Sequence, residues 1–399
     1  MSLDRRMLHQ VMLDSIHEGV YATDKSRGII YWSKGAERIT GWTTKDIRGK
    51  HCYDDVLCHV DKDGHRLCGE EHCPLHRSIC TGKSSRVPII VFALTKRGDR
   101  VPLQVSVSPL RDGRGRVAGG VETFRDLSGE FADIDRARKI QQLSMQREMP
   151  VDKRIRFATR YVPRDVIGGD YYAVGRLDDH RYGFLLADVM GHGVCAALYT
   201  MCLSSLWNSC QRLLVDPVAF ARTVSDRLNL MVEGDTAFAA AVCGVFDLKK
   251  RVLRVVGAGN PGPLVIRAAG PWENPEVQGM FLGMMKDTEY TETVIPLRRG
   301  DCVLFFTDGV VEVSDRGGKT LGVAGLTRIL QEAGYPGCAP ASVFADRWRA
   351  ARHRPPFAGH AGLPIGKNIF EAIEERMLRA SDRIRFDDDV TFIEARVTA

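Results

Sequence analysis

The run YGFLLADVMGHG, from Tyr182 to Gly193, decides the fold of the carboxy-terminal half. An apolar strand, Tyr182 to Asp188, ends in a carboxylate and then in glycines, just before the helical periodicity of Cys195 to Leu214. That order projects the carboxylate from a sheet edge and lets the backbone approach whatever the carboxylate holds. Related signatures stand at Asp170 in VIGGDYY, Asp308 in LFFTDGVVE, and Asp388 with Asp389 in FDDDVTF. Working outward, strands are expected at Ile155 to Val162, Ala237 to Asp247, Val252 to Ala258, Cys302 to Thr307 and Val390 to Ala395. Helices are expected at Pro217 to Met231, Val323 to Ala333 and Ile369 to Ala380. Many strand runs with a few long helices predict two sheets flanked by helices, and the Pro-, Gly- and Ala-rich stretch Gly337 to Gly366 reads as an insertion.

The amino-terminal half has another rhythm. EGVYATD (Glu18 to Asp24) and GIIYW (Gly28 to Trp32) form a hairpin signal around Lys25-Ser26-Arg27, and helical spacing follows in SKGAERITGW. Val87 to Leu94, Val101 to Leu110 and Val117 to Phe124 are strand-like, with turns at Arg97-Gly98-Asp99 and Asp112-Gly113, so the class is α+β. Between the halves, Ser128 to Met149 carries Phe131, Ile134, Ala137, Ile140 and Leu143 at three- and four-residue steps. This is an amphipathic helix of coiled-coil character, either packing on its own domain or pairing with a second copy into a homodimer.

Composition narrows the classes. At 399 residues, with 44% hydrophobic and 27% charged, the chain can bury two cores. The net charge of +6 is spread along the length, with no block of like charges and no helix-turn-helix, so no nucleic-acid partner is expected. No apolar stretch approaches the ~20 residues of a membrane span, and no secretory leader is legible, so a cytoplasmic protein is expected.

Single Asp-Gly turns are common, but the order of these carries a resemblance. GGDYY, ADVMGHG, TDGVVE and DDDVTF, with GAGNPGPLV and FLGM between them, resemble the SpoIIE-like branch of the metal-dependent PPM protein-serine/threonine phosphatases, over residues 151–399. YWSKGAERITGWTTKDIRGKHC and PLRDGRGRVAGGVETFRDLS resemble the opening and closing segments of a PAS sensor domain, over residues 8–127, which leaves residues 128–150 as a signalling helix. The resemblance implies a β-sandwich flanked by helices with a binuclear Mn²⁺ or Mg²⁺ centre. It places Asp188 as the bridge between two metals, with the Val189 carbonyl on one of them, Asp170 on one metal and Asp308 with Asp388 on the other. Asp389 matches a neighbour of the ligand, and with three aspartates in a row the register there is open. These four aspartates are also the catalytic candidates. Hard cations suit oxygen ligands, neutralise a phosphate dianion and activate water. His192 either protonates the leaving oxygen or orders its loop, and Glu312 either orients water or is solvated. Gly168 and Gly169 read as turn formers. The chain departs from the family's usual residues at Ser33 (asparagine), Ala173 (aspartate) and Asn260 (histidine).

The implied activity is hydrolysis of phosphoserine or phosphothreonine on a partner protein, a STAS-type anti-sigma antagonist by analogy. The alternative is a non-catalytic phosphatase-fold module that signals through contacts. Between His51 and Cys80 five cysteines are interleaved with five histidines, without a paired C-x-x-C. Cys52, Cys58, Cys68 and Cys73 are candidate ligands for zinc or an iron–sulfur cluster. The same residues equally fit redox-switched thiols or buried, unligated ones, and haem through one histidine is a further reading.

Overall fold

The computed structural model describes residues 11–398 apart from 12, 14, 55, 63, 70, 71, 86, 146, 147, 192, 232–237, 314–318 and 333–387. His192, the 337–366 segment and the helix expected from Ile369 to Ala380 lie outside the described residues. Two compact units divide the chain, Met1–Asp133 and Ile134–Ala399.

In the first unit, strands β1 (Gly19–Asp24), β2 (Ile29–Trp32), β3 (Ile89–Leu94), β4 (Arg100–Arg111) and β5 (Val117–Asp126) form one antiparallel sheet in the order β2-β1-β5-β4-β3. Helices α1 (Lys34–Thr40), α2 (Thr44–Ile47) and α3 (Pro74–Thr81) accompany it, the second and third of which no periodicity announced. Tyr21, Trp32 and Phe124 meet at ring distances of 5.5 to 6.4 Å at the centre of this core. Each such burial contributes roughly 1.5–3 kcal/mol. The hydroxyl of Ser33 accepts from the Val20 N–H (2.9 Å) and the Ala36 N–H (3.1 Å), so a serine supplies both the strand contact and the cap of α1.

Helix α4 runs from Ser128 to Met145, and residues 148–150 are not helical. The first part of its apolar stripe, Phe131, Ile134 and Ala137, is half-buried. Ile140 and Leu143 are 52% and 70% exposed, whereas Gln141 and Met145 are buried. The second unit holds β6 (Ile155–Val162), β7 (Asp170–Arg176), β8 (Arg181–Val189), α5 (Val194–Cys210), α6 (Pro217–Met231), β9 (Ala239–Asp247), β10 (Val252–Ala258), β11 (Leu264–Ile266), β12 (Glu292–Pro296), β13 (Cys302–Phe306), α7 (Gly322–Glu332) and β14 (Val390–Val397). One sheet has the order β12-β10-β9-β8-β7 and the other β11-β13-β14-β6.

The two sheets pack face to face through aromatic rings. Phe184 of β8 meets Phe305 of β13 at 4.2 Å, and Phe157 of β6 meets Phe246 of β9 at 5.6 Å. Helices α5 and α6 cover the first sheet, with Trp207 edge-on to Phe220 at 6.2 Å. Leu326, Ile329 and Leu330 of α7 pack on the second. The result is the β-sandwich flanked by helices that the motif order implies. The helix expected to reach Leu214 stops at Cys210 and tightens into a 3₁₀ turn over Gln211–Val215. Pro217 cannot extend the preceding helix, and Asp216 caps α6 by accepting from the N–H groups of Val218 (3.1 Å) and Ala219 (3.3 Å).

Candidate active site

Strand register brings the first two carboxylates together. Asp170 at the start of β7 pairs directly with Asp188 near the end of β8, so both side chains leave the same face. Like charges opposed in this way are unfavourable unless something neutralises them. Asp308 follows β13 and Asp388 precedes β14, adjacent antiparallel strands of the other sheet. Asp188 and Asp308 share a carboxyl–carboxyl hydrogen bond, and the carboxylate of Asp388 acts on both. Four carboxyl groups from two sheets therefore converge at one end of the sandwich.

The electrostatics follow from burial among like charges. Asp188 is pushed up to about 8, first by desolvation and then by Asp308 and Asp388. Desolvation and then Asp188 and Asp389 raise Asp170. Asp308 is raised by desolvation and Asp388, and Glu312, an exposed side chain, by the charges of Asp308 first and then by desolvation. Asp170 is wholly buried: its Oδ2 accepts from Thr307 Oγ1 (2.9 Å) and Thr391 Oγ1 (2.6 Å), while its Oδ1 is buried without a hydrogen-bond partner. An orphaned carboxylate oxygen beside the carboxyl groups of Asp188 and Asp389 is the donor chemistry of a hard divalent cation. Such an ion takes one or two carboxylates and keeps its waters, so it needs no three-residue cage. Among the described residues no three His, Cys, Asp or Glu side chains already meet as ion ligands.

Asp389 has a different environment. Its Oδ1 accepts from the Arg164 N–H (2.6 Å) and its Oδ2 from the Gly169 N–H, which fixes the 164–169 loop. The Asp389 N–H in turn donates to Asp388 Oδ1 at 2.8 Å. Both backbone contacts commit Asp389 to the loop, while Asp388 faces the cluster. The glycines are required by close approach rather than by turning. A Cβ on Gly168 would stand 2.3 Å from the Tyr161 hydroxyl and 2.5 Å from Asp389 Oδ2, and one on Gly169 would stand 3.0 Å from the Val189 carbonyl oxygen. Ala173 is a buried strand residue, and Asn260 is buried with its amide donating to the Phe306 carbonyl at 3.0 Å.

Three residues that no motif singled out complete the floor. Thr307 and Thr391 clasp Asp170 across the two sheets, and the Thr391 N–H donates to Thr307 Oγ1 at 3.0 Å. Gln141, on α4, donates to the Gly168 carbonyl (2.7 Å) and to Thr200 Oγ1 on α5 (2.9 Å). The only sequence signals were a threonine inside each of two aspartate motifs and a glutamine in a helix.

The cysteine candidates of the first unit do not converge as metal ligands among the described residues. Cys52, Cys58 and Cys73 are buried and Cys68 partly so. The Cys68 sulfur accepts from the His59 N–H at 3.1 Å, and the Cys73 sulfur caps α3 by accepting from the His76 N–H at 3.5 Å. Burial, then Glu122 and the neighbouring thiols, raises Cys52, and burial, then Cys73, pushes Cys68 up to about 12. Zinc and iron–sulfur clusters need three or four converging side chains, an arrangement absent among the described residues. Outside any disulfide, Cys52, Cys58 and Cys73 stand buried and Cys68 partly buried.

Beside them His59 Nε2 and Glu122 Oε1 stand 3.6 Å apart, both side chains buried. Desolvation takes His59 down to about 4 and Glu122 up to about 8. A carboxyl whose folded value lies above its unfolded one imposes no cost below the unfolded value of about 4.3, a growing cost as pH rises, and the full cost above the folded value. Charging of His59 matters only below about 6.5, so alkaline pH isolates Glu122. The first unit should lose melting temperature between pH 7 and 9, and Glu122→Gln should remove that loss, as scanning calorimetry at the two pH values will read.

Comparison with known proteins gives these units their relatives. The family described as Stage II sporulation protein E (SpoIIE) matches residues 178–361, a span that holds Asp188 and Asp308, and the PAS fold matches residues 8–127. The match runs through most of the segment read as an insertion. Phosphoserine phosphatase RsbP of Bacillus subtilis is 27% identical over 183 residues, 45% of this chain and 45% of that protein. Phosphoserine phosphatase RsbU of the same organism is 25% identical over 202 residues, 49% of this chain and 59% of that one. The matches thus span about half the length of these curated relatives. Among solved structures, the SiaA-PP2C domain of Pseudomonas aeruginosa aligns over 67% of this chain and 96% of its own, at 19% identity and a TM-score of 0.49. No described helix is long and apolar enough to cross a membrane. Residues 8–127 are therefore a PAS fold, and residues 178–361 match the SpoIIE family.

Proposed function

We propose that this chain is a metal-dependent protein-serine/threonine phosphatase under the control of its PAS unit. The convergence of Asp170, Asp188, Asp308 and Asp388 from both sheets carries the reading, because an assembly of mutually repelling carboxyl groups is explained by cations. Asp188 would bridge two ions, Mn²⁺ or Mg²⁺, with the Val189 carbonyl and Asp170 on one side and Asp308 with Asp388 on the other. Asp389 would hold the loop rather than an ion. Such ions, when bound, neutralise phosphate charge and lower the pKa of water. The chain's own contribution is a fixed geometry: the Thr307–Thr391 clasp keeps Asp170 in place, and Asp389 with Gly169 keeps the neighbouring loop against the carboxylates.

The substrate is a phosphoserine or phosphothreonine on a partner protein. RsbP and RsbU are named phosphoserine phosphatases, and by analogy the partner is a phosphorylated STAS-type antagonist. Release of phosphate from a serine-phosphorylated STAS protein by the full chain with Mn²⁺ tests the reading. Absence of turnover at saturating metal on that protein and on phosphoserine peptides rejects it.

The chain acts as a homodimer through α4. Exposed Ile140 and Leu143, three residues apart on one helical face, support this. The pair Ile140→Glu and Leu143→Glu should halve the sedimenting mass while leaving the melting temperature within a few degrees. A wild-type monomer at micromolar concentration contradicts it.

A further inference from the structure

The five exposed methionines among the described residues lie on segments that contact one another, and one of those segments leads out of Asp188. Met190, Met231, Met280, Met284 and Met285 are 41% to 57% exposed. Backbone contacts place them together. Met190 stands two residues beyond Asp188, and its N–H donates to the Phe238 carbonyl at 2.9 Å. The Phe238 ring packs on Phe281 at 5.0 Å, and the next residues, Ala239 and Leu282, exchange N–H···O bonds of 3.0 and 2.9 Å. Gly283 is tied to α6 through Ser225 Oγ on its N–H (3.1 Å) and the Asn229 amide on its carbonyl (2.8 Å), just before Met231 ends that helix. Hydrogen-bonded strand ends and an anchored loop thus carry exposed, apolar methionine tips.

Scattered apolar residues on a surface mean little, but a continuous apolar strip marks a contact surface, and methionine adapts to varied partners. The strip starts two residues from Asp188, about 7 Å along an extended strand, which is within the reach of a peptide whose phosphoserine lies at the carboxylates. We infer that this methionine ledge docks the phosphorylated polypeptide, and that the preferred substrate carries apolar side chains within a few residues of its phosphoserine. The inference rests on the phosphatase reading and adds its specificity.

Two phosphoserine dodecapeptides of equal charge test it with the full-length protein and Mn²⁺, one flanked by leucine and valine, the other by serine and glycine. The wild type should favour the apolar-flanked peptide by tenfold or more in kcat/KM. The variant with Met284→Ser and Met285→Ser should lose that preference while turning over the polar-flanked peptide at the wild-type rate. Equal kcat/KM for the two peptides in the wild type, or a preference retained in the variant, overturns the docking role. A variant that keeps its preference but sediments at half the wild-type mass overturns it too, giving the ledge to a second copy. No turnover of either peptide by the wild type rejects the phosphatase reading itself.

Discussion

Asp188→Asn should lower phosphoserine hydrolysis by about three orders of magnitude and leave the fold intact. Asparagine keeps the shape and can still hydrogen-bond to Asp308, so packing is undisturbed, but it removes the charge proposed to sit between two cations. The same substitution makes a second, opposite forecast for stability. Asp188 is held far above the usual carboxylate range by burial and by Asp308 and Asp388, so keeping it protonated where the unfolded chain would ionise it weakens the metal-free protein at neutral pH. In chelator, the variant should therefore melt at the same temperature as the wild type or higher, and Mn²⁺ should raise its melting temperature less. Lost activity with lowered metal-free stability would instead mark Asp188 as a fold residue.

Gln141→Leu should cut kcat by about tenfold to a hundredfold, although Gln141 touches no carboxylate. Its amide satisfies the Gly168 carbonyl and Thr200, and Gly168 precedes the glycine whose N–H holds Asp389 and then Asp170 itself. Losing the amide's bond to the buried Gly168 carbonyl costs about 1–3 kcal/mol, which in a barrier is about one to two powers of ten. The loss should appear with a weakened Mn²⁺ requirement curve, shifted to higher metal, while Gln142→Leu, one residue along the helix, leaves both unchanged. Steady-state kinetics across a metal titration reads the two effects together. Equal losses in both variants would point to general damage to the helix.

Much of this was legible in the sequence because the decisive strands are either strongly apolar or end in aspartate. Strands β6 and β10 match the expected bounds, and β8 exceeds them by one residue at each end. Strand β7 was missed: Asp170 to Val174 are all buried, so no alternation marks a strand, and the preceding glycines suggested a loop. Strand β11 has three residues, too few for any period. Periodicity found α4 but not the burial of Gln141, which rests on hydrogen bonds that a hydrophobic pattern cannot register. The cysteine and histidine density of residues 51–80 suggested a metal cage because ligand type is visible in sequence and convergence is not. The aspartates were legible for a reason the thiols lacked. Each stands beside a strand end, and antiparallel pairing of β7 with β8 and of β13 with β14 brings strand ends together.

The most direct measurement is phosphate release from a phosphoserine peptide by metal-stripped full-length protein as Mn²⁺ is added back. The account predicts no turnover without metal, a saturable rise with Mn²⁺ or Mg²⁺, and return to baseline with chelator, with Asp188→Asn flat throughout. Hydrolysis at the same rate in the stripped protein and at saturating Mn²⁺, or an unchanged titration in the Asp188→Asn variant, would contradict it.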